Sequence, residues 1–194
     1  MRKLIIIASL GLCVNSALAA GPFGLDMGMS VNSIDKNAKQ AAPYVYLTTN
    51  VPKPHSAFAD YAIKAAPETG LCWLKAIGKD ISTSSYGIEL QSAFSEMSDK
   101  LTKIYGKSET TDFLMPGSIW KDPNDFMMAM LKKERFLMAV WEKEKGSKLD
   151  GNLAQVALVA SAAGRDKGYI SLEYSFSNKE DCDAEIAAQE DDAL

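Results

Sequence analysis

The chain of 194 residues has one histidine, three cysteines and seven prolines, and after its first residues no apolar run long enough to cross a bilayer. Each scarcity excludes something. A single histidine, His55, rules out a histidine-rich zinc site. It would also have to serve alone in any Ser-His-Asp arrangement, and no Gly-x-Ser-x-Gly elbow stands anywhere to receive it. No Cys-x-x-Cys is present, so thioredoxin-like redox chemistry has no support. Basic residues are fewer than acidic ones, 21 against 25, for a net charge of −4. An acidic chain gains no electrostatic help from nucleic acid or anionic lipid.

What stands at the start is a leader. In "MRKLIIIASLGLCVNSALA", Arg2 and Lys3 precede an apolar stretch from Leu4 to Val14, and Ala17-Leu18-Ala19 supplies small residues where a signal peptidase reads. This is the layout of a secretory signal peptide over 1–19, cut near Ala19. The stretch is shorter than the roughly 20 residues a spanning helix needs. Leu12 before Cys13 does not suit lipid attachment. Loss of the leader moves the net charge to −6 and leaves Cys72 and Cys182 as the remaining cysteines. In an oxidising exported compartment two cysteines most often pair, so a Cys72–Cys182 disulfide is expected.

The remainder, residues 20–178, is one domain's worth of chain, followed by an acidic C-terminal tail over 179–194. Phe23, Leu25 and Met27 alternate with polar or small neighbours and predict a short strand. Ser30 is placed to cap a short helix through about Asn37. Strands are predicted over 44–50, 57–66 and 70–78, the last two forming a hairpin about Pro67-Glu68-Thr69-Gly70. Leu90, Phe94, Met97, Leu101 and Ile104 recur at helical spacing over 86–105, and Gly106 stops that helix. A second helix opens at Asp122-Pro123. Three more strands follow, over 135–144, 152–163 and 169–177. Grouped strands favour an α+β fold: an antiparallel sheet with helices packed on one side, in two helix-plus-three-strand halves.

Little here resembles catalytic chemistry. Gly106-Lys107-Ser108 ends a helix instead of opening one, and Leu101 stands where a phosphate loop needs its earlier glycine. Met115, Met127, Met128, Met130 and Met138 could hold soft copper, but their spacing among Phe126, Leu131 and Leu137 suits a core. The carboxylates are scattered. No catalytic residue, metal ligand or cofactor is therefore assigned. His55, Trp73 and Trp141 are the candidate partner contacts, the tryptophans on whichever sheet face the helices leave open.

At "FGLDMGMS" the chain resembles outer-membrane assembly lipoproteins of the SmpA/OmlA type, which carry such a Gly-Met-Ser/Thr opening. Gly28, Met29 and Ser30 match it. The resemblance implies a β-lactamase-inhibitor-protein-like architecture, helices on an antiparallel sheet. It carries no functional residues over. The sequence thus leads to an exported, periplasmic, non-catalytic protein that binds another envelope protein or component. The alternatives are an inhibitor of an exported enzyme and a carboxylate-based hydrolase.

Overall fold

The computed structural model describes residues 21–191; the leader over 1–19 lies outside the described residues. Among the described residues the fold is α+β, with four α-helices and a nine-stranded antiparallel sheet. The strands are β1 (Lys39–Ala42), β2 (Val45–Thr48), β3 (Phe58–Ala66), β4 (Gly70–Gly78), β5 (Ile81–Ser82), β6 (Glu109–Leu114), β7 (Arg135–Glu142), β8 (Leu153–Ala162) and β9 (Lys167–Phe176). The helices are α1 (Val31–Ile34), α2 (Ile88–Tyr105), α3 (Phe126–Leu131) and α4 (Lys179–Asp191). The sheet order is β1-β2-β3-β4-β9-β8-β7-β6, with short β5 beside β9.

This order is mirrored. Each half is a meander of four strands that runs from an outer edge to the centre or back. The last strand of the first half, β4, pairs with the last strand of the second, β9. Each half therefore has four main strands rather than three. The two that the pattern missed, β1 and β6, are the sheet's edges.

The opening segment is not a strand. Pro22–Gly24 forms a 3-10 turn, with Phe23 at φ +57° and Gly24 at φ +77°. Phe23 has no strand to pair with, so its ring turns inward instead. It stacks edge-on against Phe58, Tyr61 and Tyr174 at 5.6, 5.0 and 5.9 Å. Gly28 N–H then donates to Leu71 O and Leu71 N–H to Met29 O, at 2.9 and 2.8 Å. A Cβ at Gly70 would lie 2.2 Å from the Gly28 carbonyl oxygen, and Gly70 sits at φ +69°. Glycine is required there for both reasons. Ser30 caps α1 as expected, its Oγ accepting from Ser33 N–H at 3.3 Å.

One face of the sheet carries the core. Tyr61 and Ile63 of β3, Leu74 and Ala76 of β4, Leu172 and Tyr174 of β9, Val156 and Leu158 of β8, and Ala139 and Trp141 of β7 are all buried there. Leu90, Phe94, Met97 and Leu101 of α2 close over them, with Phe126, Met127 and Met130 of α3. Met127 and Met130 pack as core, as their spacing predicts, whereas Met138 stands on the opposite sheet face and Met115 is exposed.

The exception to one-sided packing is α4, in the stretch expected to be tail. A bulge in the β3–β4 pairing causes it: Lys64 faces Trp73 and Ala65 faces Leu71, leaving Cys72 without a partner. The extra residue breaks the alternation. Leu71 and Leu74 keep the core face, while Cys72 turns to the other side. There it joins Ala66, Cys182 and Ile186 in a small second cluster. Cys72 and Cys182 are disulfide-bonded, with Cα atoms 6.3 Å apart.

Side-chain polar contacts add to this anchor. Asp183 pairs with Lys64 and Lys179. Glu185 accepts from Glu68 N–H, Thr69 N–H and Thr69 Oγ1, at 2.9, 2.9 and 2.6 Å. These donors, the Thr69 hydroxyl first, hold the Glu185 carboxyl below its ordinary value. Partial burial pushes Asp183 up, but Lys179 and Lys64 outweigh it and its pKa also falls. A carboxyl lowered in the folded state contributes stability above its unfolded pKa and loses it as pH falls. With the disulfide reduced, amide protection in α4 should therefore drop between about pH 5 and pH 3, while β9 keeps its protection. Hydrogen exchange corrected for intrinsic rates checks this; equal protection of α4 at both pH values would refute it.

Candidate functional site

The second sheet face is left open between α4 at one end and β6 at the other. The register shows which side chains stand on it. Across the strands, Lys64, Trp73, Ser175 and Gln155 form one row, since Lys64 faces Trp73, Trp73 faces Ser175 and Ser175 faces Gln155. The next row runs Leu47, Ala62, Lys75, Glu173, Ala157 and Val140. Beyond it lie Ile77, Ser171, Val159, Met138 and Thr111. Tyr169 and Ser161 pair further along, and Phe136 faces Phe113 at the β6 edge.

The face is mixed: Trp73, Ile77, Val159, Met138, Val140 and Tyr169 interleave with serines and with a Lys75–Glu173 pair on the two central strands. Its charges are largely matched internally: Lys75 pairs with Glu173 at 2.8 Å, and Glu142 with Lys145 at 3.1 Å. Lys145 and Gln155 hold the Glu142 carboxyl below the usual range. Leu47, Phe136 and Phe113 are 40, 40 and 45% exposed. Ser171, in contrast, is buried beneath its neighbours, and its hydroxyl has no partner among the described residues. A broad face of this kind, with paired charge and half-exposed Trp73, Ile77, Tyr169, Met138 and Val140, is suited to contact with another macromolecule.

The three candidate contacts separate in the structure. Trp73 is half-buried on the open face, as the reading requires. Trp141 is corrected: it is fully buried on the helix-covered face, and its Nε1–H donates to Gly106 O at 3.0 Å. Its strand has apolar residues on both sides, and Leu137, Ala139 and Trp141 take the core while Phe136, Met138 and Val140 take the open face. His55 lies in an exposed loop away from both tryptophans. Its Nδ1 accepts from Ala57 N–H at 3.1 Å, and its ring stands 5.6 Å from that of Phe58.

His55 also borders an open hollow of about 260 Å³, lined with Lys79, Asp80, Glu96, Met97 and Lys100 among others. The two carboxylates there are exposed and already engaged. Asp80 pairs with Lys167 at 3.1 Å, and Glu96 accepts from Ser92 at 3.4 Å. Neither has the buried, strained setting that tunes a catalytic acid. Among the described residues no group of three or more His, Cys, Asp or Glu is placed to hold a metal ion. No helix among them is long and apolar enough to cross a membrane.

Of the open-face residues the sequence pattern singles out only Trp73: Leu47, Ile77, Phe136, Met138, Val140 and Tyr169 stand there as members of predicted strands, and Phe113 lies on unpredicted β6. Phe113 gives a signal in hindsight: Thr110, Thr111 and Phe113 are all strand-favouring residues. Comparison with family models, with curated proteins and with solved structures finds no match to this chain.

Proposed function

We propose that this is an exported, periplasmic, non-catalytic protein that binds another envelope protein or component through the open face of its sheet. The observation that carries the reading is that face itself: uncovered between α4 and the β6 edge, rich in half-buried apolar side chains about Trp73, and with its charges paired. The leader-like N-terminus and the disulfide support an oxidising compartment outside the cytoplasm. The likeness of Gly28-Met29-Ser30 to the opening of envelope assembly lipoproteins adds support of the same kind. Trp73 is the side chain expected to contribute most to affinity, because large half-buried aromatics anchor such contacts.

Placing a photo-reactive side chain at Ala157, in the middle of the face, tests this in the native cell envelope. A discrete crosslinked product is expected from that position and not from Ser95, on the solvent side of α2. Trp73→Ala should reduce the product at least several-fold, and its cost in stability should stay below that of Trp141→Ala, because Trp73 keeps part of its surface in water. If Ala157 gives no product, or no more than Ser95, the open face is not the binding surface. Where the captured partner is an exported enzyme, its rate with and without this protein separates inhibition from simple binding.

A further inference from the structure

The two edges of the sheet differ in how they are finished. An edge strand offers unpaired N–H and C=O groups to any other strand, and proteins usually block it with lysine, proline or a bulge. The β1 edge has all three: Lys39 within it, a register shift between Gln40 and Ala42, and Pro43 directly after it. The β6 edge has none of them within the strand, and its nearest proline, Pro116, stands two residues past its end. Glu109-Thr-Thr-Asp-Phe-Leu114 pairs with β7 in unbroken register and contains neither lysine nor proline.

Nor does charge protect it. Asp112 receives two bonds from Arg135, Nε at 2.8 Å and Nη2 at 2.7 Å. Glu109 is paired with Lys145 at 2.9 Å. Both carboxylates of the strand are thus neutralised within their own chain, so a second copy of the same strand would meet no uncompensated charge.

We propose that two copies of this chain join edge to edge, β6 to β6, antiparallel about a two-fold axis at Phe113. The inference goes beyond the open-face reading and does not rest on it. Register selects the axis. Met115 N–H donates to Glu134 O at 2.7 Å, so the odd-numbered residues of the strand direct their backbone to β7. By alternation, Thr110, Asp112 and Leu114 direct theirs outward.

Outward residues must face outward residues of the copy. Setting Asp112 opposite Asp112 places Phe113 opposite Thr111, so neither exposed ring is covered by the other. Setting Thr110 opposite Asp112 places Glu109 opposite Phe113. Setting Asp112 opposite Leu114 avoids both. It also brings Phe113 opposite its own copy in a non-hydrogen-bonded pair, where side chains approach most closely. Two 45%-exposed rings then cover each other beside the two Phe136 rings. Pairing ends where Thr110 meets Pro116, which has no amide hydrogen. The result is one sheet running through both copies.

Cysteine scanning and sedimentation test this on the mature chain, in which Cys72 and Cys182 are already bonded to each other. Phe113→Cys should oxidise to a covalent dimer, and Thr111→Cys, opposite Met115, should not. The natural chain should sediment as a dimer at micromolar concentration. Leu114→Pro removes an outward donor from the Asp112–Leu114 pair without touching the bonds to β7, so it should sediment as a monomer with an unchanged circular-dichroism spectrum. A monomeric natural chain, or equal crosslinking at positions 111 and 113, overturns the proposal.

Discussion

Trp141→Ala is expected to cost about 3–5 kcal/mol, the range for emptying a large buried aromatic site. Trp141 has no exposed surface and packs in the core with Val156, its cross-strand partner. Its loss also removes the indole donor from the Gly106 carbonyl, at the C-terminal end of α2. An orphaned acceptor adds its own desolvation cost to that of the cavity. For a domain of this size the melting temperature should fall by roughly 10 °C or more. Urea denaturation of the variant checks it, and a loss below about 1 kcal/mol would contradict the burial described. The contrast with Trp73 is the informative part. Trp141 should matter to folding and hardly to binding, whereas Trp73 should matter to binding and less than Trp141 to folding.

The second large effect is that of the disulfide. Cys72 and Cys182 are 110 residues apart in sequence. In the chain-entropy account such a loop is worth about 4–5 kcal/mol, and measured bridges give about 2–5. The double variant Cys72→Ala/Cys182→Ala should therefore lose about 2–5 kcal/mol of stability. The loss should show an order. Only Ala66 and Ile186, with Tyr44 alongside, remain to hold α4 by apolar contact. Hydrogen exchange should find α4 opening well before the sheet. A double variant that melts with the natural chain, α4 included, would mean that the bridge adds nothing to the fold.

The sequence made the central elements legible because their patterns come from burial. The alternation predicts β4 over 70–78 and the strand lies there; α2 and β8 each differ from their predicted spans by no more than two residues at either end. Elements that bury little were missed. Every residue of β1, Lys39–Ala42, is exposed, so nothing alternates. Among the described residues of α4 only Cys182 and Ile186 are buried, too few to mark a helical face on an acidic segment. The faces were harder to read than the elements. Alternation grouped Leu71 with Trp73, and one bulge residue, Cys72, puts them on opposite sides. On β7 both faces are apolar, so period alone cannot say that Trp141 and not Val140 lies inside. The candidate site was therefore legible as a kind of surface, with Trp73 on it, but not as a set of residues.

The mirrored strand order also bears on how the chain reaches its fold. Strand β9 stands at the middle of the sheet yet is the last strand among the described residues, and its partner β4 ends about 90 residues before it begins. Hairpins β3–β4 and β7–β8 close locally, but nothing joins the halves until residues 167–176 arrive. Until then β4 and β8 each present a long open edge, the kind of surface on which chains misassemble. The final strand, and the cysteine six residues beyond it, act as a keystone and its pin. A chain that emerges from a membrane N-terminus first would acquire the two flanks of its sheet before it acquired the centre.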